Sequence, residues 1–152
     1  MRSGDRKRDD SSPAKHVLVA EDDDAIRRLL AITLRRAGLM VDAVRDGAEA
    51  IQHLGQRRYL ALISDLMMPN MSGWDVIRWL QKHPAERPRS IIITTAADRS
   101  VMRGLDPNVV NAIFVKPFNV MELAAYVTAC CRHRNGRDRR RSRVIRDRSV
   151  LI

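Results

Sequence analysis

Four apolar runs in this 152-residue chain stop on residues that can do chemistry. The run HVLVA (16–20) is followed by Glu21, Asp22, Asp23 and Asp24, and ALIS (61–64) by Asp65. IIITT (91–95) closes on Thr94 and Thr95, and AIFV (112–115) is followed by Lys116 and Pro117. Taken singly, each has an ordinary structural reading. Acids at a helix start complement the helix dipole and cap its free N–H groups. Asp65 could form an Asx turn, Thr95 could cap the next helix, and Lys116 could be a surface charge. Together they are harder to assign to local structure. Carboxylates that converge in one crevice repel each other unless a cation joins them. Hard oxygen ligands suit Mg2+, which keeps several waters and accepts phosphate oxygens alongside. An ammonium and a hydroxyl opposite that cation would complete a clamp for a phosphoryl group. Asp65 is then either a turn-former or a nucleophile.

Such a set needs a scaffold that brings distant strand ends to one edge. HVLVA (16–20), LMVDAV (39–44), YLALIS (59–64), SIIITT (90–95) and NAIFV (111–115) are short, apolar and rich in β-branched residues, as strands are. Helical patterns lie between them. In DAIRRLLAITLRRAG (24–38) the spacing predicts one face of Ile26, Leu29, Leu30, Thr33, Leu34 and Ala37, with Arg27, Arg28, Arg35 and Arg36 off it and Gly38 as the stop. DGAEAIQHLGQR (46–57), GWDVIRWLQKH (73–83) and NVMELAAYVTACCRH (119–133) behave likewise, and DRSVMRGL (98–105) is a shorter pattern. The Trp74, Ile77 and Leu80 stripe has the spacing of one buried helix face. Strict alternation of strand and helix predicts an α/β fold, with a parallel sheet covered by helices on both faces. In such sheets ligands gather beyond the carboxyl ends of the strands, where strand order reverses.

Charge divides the chain. Residues 1–15 carry five basic and three acidic groups, residues 16–131 fourteen and thirteen, and residues 132–152 nine and two. The formal net charge of +10 therefore belongs largely to the arginine-rich C-terminal stretch, and the body is nearly neutral. Residues 1–15 read as a disordered leader, 16–131 as one domain, and 132–152 as a basic, disordered tail, because arginine repulsion and few apolar residues deny it a core. That tail could touch nucleic acid by charge, although no aromatic residue interleaves with its arginines to stack on bases. No apolar run approaches the roughly 18 residues a membrane span needs, and a cytoplasmic protein is expected. The adjacent Cys130 and Cys131 are too few for a disulfide framework. With His133 they make at most half a metal site and read better as small residues on the last helix.

VLVAEDDDAIRRLL, LISDLMMPNMSGWDVI, IIITTAAD and AIFVKPF resemble, in order and spacing, the receiver domain of two-component response regulators over about residues 16–131. The resemblance implies a doubly wound, flavodoxin-like five-stranded parallel sheet of order 2-1-3-4-5. It also implies a Mg2+-dependent transfer of a phosphoryl group from a histidine kinase or phosphotransfer protein onto an aspartate. Asp65 matches the phosphoacceptor. Glu21 and Asp22 match the acidic pair that holds the metal, with Asp22 a direct ligand and Glu21 acting mainly through water. Met67 would lend its backbone carbonyl to the metal, Thr95 matches the switch hydroxyl, and Lys116 the lysine that contacts the phosphoryl group. A cis bond between Lys116 and Pro117 is also implied. Asp23 and Asp24 are left as helix-start residues.

The resemblance breaks at one position. Three residues before the lysine the family carries an aromatic switch, and here stands Ile113, while Phe114 lies one residue along and should face the other side of its strand. The readout is therefore expected to be weaker or differently routed. About twenty residues follow the receiver-like body, too few for a helix-turn-helix output unit, so a single-domain regulator acting through protein contacts is expected, with phosphorylation-dependent homodimerisation open. The rivals are a regulator touching nucleic acid through the tail, a phosphate-independent scaffold, and a hydrolase of the haloacid-dehalogenase type. The last would need an aspartate where Met67 stands.

Overall fold

The computed structural model describes residues 15–96, 99–132 and 143–145. The strands are β1 (His16–Ala20), β2 (Met40–Val44), β3 (Ala61–Asp65), β4 (Ser90–Thr95), β5 (Ala112–Val115) and β6 (Arg143–Ile145). The helices are α1 (Asp24–Arg36), α2 (Gly47–Gln56), α3 (Gly73–Lys82), α4 (Arg99–Arg103) and α5 (Val120–Arg132), with a 3-10 turn at Pro84–Glu86. All pairings are parallel and the sheet order is β2-β1-β3-β4-β5-β6. Strand order reverses between β1 and β3, so their carboxyl ends, carrying Glu21 and Asp65, flank the crevice where ligands of such sheets bind.

Both faces of the sheet are buried, and for this reason β1, β3 and β4 are almost wholly apolar. On one face Leu18, Leu62, Ile91, Ile93 and Ile113 pack against Ala50 and Leu54 of α2 and Val76, Ile77 and Leu80 of α3. On the other Val17, Val19, Ile63, Ile92 and Phe114 pack against Leu30, Ala31 and Leu34 of α1 and Leu123, Ala124 and Val127 of α5. Ile113 and Phe114 lie on opposite faces, as strand alternation requires. Phe114 meets Phe118 and Tyr126 edge to face, at ring-centroid distances of 6.3 and 5.9 Å.

Two differences from the sequence reading matter. The buried face of α1 is Arg27, Leu30, Ala31 and Leu34, while Leu29 and Ile32 are 50% and 47% exposed. Apolar spacing fits two overlapping stripes on this helix, and packing against β1 and α5 selects the one that includes an arginine. The second difference is β6. It lies inside the stretch expected to be an unstructured tail, and pairs Arg143, Val144 and Ile145 with Ala112, Ile113 and Phe114 of β5. Backbone pairing at a sheet edge needs no apolar pattern, so the charged run concealed it. The five-stranded order 2-1-3-4-5 stands as expected, with this strand added outside it. The remainder of the leader and tail, with His133, lies outside the described residues.

Candidate functional site

The edge of the sheet is built from backbone constraints first. After β1 the Glu21 N–H donates to the Val44 carbonyl at 3.1 Å, so the acidic turn begins locked to the end of β2. Asp23 caps α1, accepting from the Ile26 N–H at 3.0 Å. After β3 the chain turns through Pro69 and the left-handed Asn70 (φ 64°), and Ser72 then starts α3 with a capping box to Asp75. Gly73 is required by contact: a Cβ there would stand 2.2 Å from the Asp65 carbonyl oxygen and 2.9 Å from Leu66 Cα. The loop thus folds back over the strand end that carries Asp65. The Met71 carbonyl accepts the Gly47 N–H at 2.8 Å, which ties the same loop to the start of α2.

Three carboxylates meet at this edge. Ligand oxygens of Glu21, Asp22 and Asp65 lie within 4.8 Å of one another; Glu21 and Asp65 are buried and Asp22 is exposed. Lys116 Nζ reaches in from the end of β5, 2.9 Å from Asp65 Oδ2 and 3.1 Å from both Glu21 carboxylate oxygens. Asp65 Oδ1 accepts the Met67 N–H at 3.1 Å, while the Met67 side chain is 64% exposed and leaves the crevice to its backbone. Thr95 is buried at the end of β4, and its carbonyl accepts the Lys116 N–H at 2.8 Å. The Lys116–Pro117 bond is cis. The tertiary structure thus gathers Glu21, Asp22, Asp65 and Lys116 directly, with Thr95 and Met67 on the adjoining backbone.

The electrostatics match this crowding. Burial, and then the negative charge of Asp65, push the Glu21 carboxyl up to about 7, against the opposing pull of Lys116. Burial would lower Lys116, but its bonds to Asp65 and Glu21 outweigh that and hold the ammonium above its ordinary range. The Lys116 ammonium is bonded to two of the three clustered carboxylates, and carboxylates this close favour a divalent cation between them. All-oxygen donors with one open, exposed member fit Mg2+, which retains part of its water shell. Sequence reasoning missed Arg27, whose buried guanidinium lies behind Glu21 and Asp22. Arginine at helical spacing ordinarily signals solvent, so only a position i−3 and i−4 from Leu30 and Ala31 could have hinted at it.

The family pattern described as "Response regulator receiver domain" matches residues 17–128. The chain belongs to the response regulator receiver family. The resemblance carried by the four motifs is therefore confirmed. This receiver domain is 34% identical over 126 residues to the transcriptional regulatory protein GltR of Pseudomonas aeruginosa, covering 80% of this chain and 51% of that protein. It is 34% identical over 132 residues to the response regulator MprA of Mycobacterium bovis, covering 86% of this chain and 56% of MprA. The chain spans about half the length of the curated relatives it matches. Among solved structures it is similar to the response regulator TrrA of Thermotoga maritima in complex with Mg2+-BeF, with a TM-score of 0.66 and 30% identity over 76% of this chain and 98% of that one. The receiver domain of Francisella response regulator 1452 gives a TM-score of 0.69 at 27% identity, covering 76% of this chain and 95% of that one. Receiver domains are signalling modules that bind Mg2+ at an acidic pocket, and the family implies a histidine kinase partner. Among the described residues, no helix is long and apolar enough to cross a membrane.

Proposed function

We propose that Asp65 is the phosphoacceptor of this receiver domain. The observation that carries the reading is the single Lys116 ammonium bonded to both Asp65 and Glu21 inside a cluster of three carboxylates. Glu21, Asp22, Asp65 and the Met67 carbonyl would hold Mg2+, which when bound neutralises charge on the incoming phosphoryl oxygens. An Asp65 oxygen attacks the phosphorus of a phosphohistidine in line. The new O–P bond forms as the N–P bond breaks, and the imidazole leaves with the electron pair and takes a proton. Little covalent work remains for the protein, so positioning and electrostatics dominate. The strand end, the Gly73 contact and the Met67 N–H hold Asp65 still. Lys116 follows the phosphoryl group as charge moves outward from Asp65, and the Thr95 hydroxyl supplies a further donor at the end of β4.

The donor is a sensor histidine kinase or a phosphotransfer protein, and the phosphorylated domain acts in the cytoplasm through contacts with a downstream protein or a second copy of itself. A contact with nucleic acid through residues 132–152 is the alternative, favoured by their charge alone.

Intact mass after incubation with acetyl phosphate, with and without Mg2+, tests the reading on wild type and Asp65→Asn. A labile adduct that needs both Mg2+ and Asp65 is expected. A folded protein that forms no adduct and binds no Mg2+ would instead be a phosphate-independent scaffold.

A further inference from the structure

Arg27 is 7% exposed, although it carries a full charge on the first turns of α1. Buried guanidinium groups need partners for their donors. Here those partners are the residues of the acidic turn. Arg27 Nη1 donates to the Glu21 carbonyl at 3.0 Å and the Asp22 carbonyl at 3.4 Å, and Nη2 donates to the Asp24 carboxylate. One planar fork therefore spans residues 21–24, the segment that carries both acids of the pair.

We propose that Arg27 is the positioning residue of the Glu21–Asp22 pair, fixing the backbone of that turn from behind so that both carboxylates face Asp65. The inference rests on the metal reading above. Three observations join in it. Leu30, Ala31 and Leu34 seat the same helix face against the sheet, so the fork is held by a rigid element and not by a loop. The Glu21 and Asp22 carbonyls accept the fork while their side chains lie in the carboxylate cluster, so holding the first orients the second. Among the described residues the Asp24 side chain is the only carboxylate bonded to the fork, and it is largely exposed. Packing alone would be served by an apolar residue at this position, since a buried charge adds a desolvation cost that packing does not require. An arginine at this position therefore points to geometry. Lysine could not replace it, because an ammonium lacks the fixed fork that holds the Glu21 and Asp22 carbonyls with Nη1 and the Asp24 carboxylate with Nη2.

The test compares wild type, Arg27→Met and Arg27→Lys, with Arg78→Met as an exposed control. Mg2+ affinity is read by calorimetry, and metal-free amide exchange is read at Asp22 and Asp23. The expected result is about tenfold weaker Mg2+ binding in Arg27→Met, the scale of lost outer-shell support at metal sites, with a similar loss in Arg27→Lys. Amides of the turn should exchange faster in both variants, while those of β3 stay as in wild type. If Arg27→Met does not fold, Arg27→Lys gives the same two readouts. Wild-type affinity together with wild-type exchange in a folded variant would overturn the proposal and leave Arg27 a packing residue. Absence of Mg2+ binding in the wild type would instead overturn the metal reading, and the exchange rates would then decide the role of Arg27.

Discussion

Lys116 Nζ lies 2.9 Å from Asp65 Oδ2 although 51 residues separate the two, and the strand between them is β4, not a shared loop. The contact spans β3 to β5 and is braced by the Lys116 N–H on the Thr95 carbonyl. It places the cation on the side of Asp65 away from the Met67 N–H, which occupies Oδ1. Replacing Lys116 by Met should lower the rate of adduct formation from acetyl phosphate about a hundredfold, the scale of one lost electrostatic donor. Mg2+ should bind as tightly or more tightly, since a competing cation is gone. A variant phosphorylated at the wild-type rate would remove Lys116 from the chemistry.

The pH response follows from Glu21. Its folded value is raised from 4.5 to about 7, so the metal-free protein binds this proton more tightly folded than unfolded. The associated stability is present below about 4.5 and is lost as pH rises through about 7. Denaturant titrations without Mg2+ should show that decline, and Glu21→Gln should flatten it. Mg2+ affinity should rise over the same window, because the metal displaces the proton.

Gly73→Ala should destabilise the fold by about 3 kcal/mol, since the added Cβ meets backbone atoms of Asp65 and Leu66 that cannot yield without moving the site. Gly55→Ala in α2 meets nothing within 4 Å and should instead stabilise by about 0.5–1 kcal/mol. Equal effects in urea titrations would contradict the close-approach account.

Ile113→Tyr restores an aromatic ring on the face of β5 opposite Phe114, beside the α3 core. Phosphorylation should then produce a larger change in amide exchange across α4 and β5 than in wild type. The same change in both proteins would show that the missing ring does not limit the readout.

Removal of residues 133–152 takes away β6 and leaves the edge of β5 unpaired. The β5 amides that face β6 should exchange faster, while adduct formation at Asp65 stays within about twofold, because no residue of the acidic cluster lies in that segment. A salt-steep affinity for nucleic acid that disappears with the segment would assign the basic tail to that contact.

The sequence alone determined the first five strands, the main helices, the parallel α/β architecture and the family. These rest on short-range signals. Buried strands read as continuous apolar runs, helix starts carry their own caps at Asp23, Asp46 and Ser72, and the motif residues stand where those runs stop. Tertiary structure alone decided how the residues act on one another. Glu21 is acidic anywhere, but only burial beside Asp65 lifts its carboxyl toward neutrality. Arg27 looks like a solvated charge until α1 is laid on the sheet, and then its fork falls beneath the Glu21 and Asp22 carbonyls. The strand at Arg143–Ile145 is likewise a backbone event, made by hydrogen-bonding groups that every residue carries and no side-chain pattern encodes. Periodicity records which face of an element is apolar, while the packing of distant elements sets which charges share a dry space, and the chemistry of this site lies in that second relation.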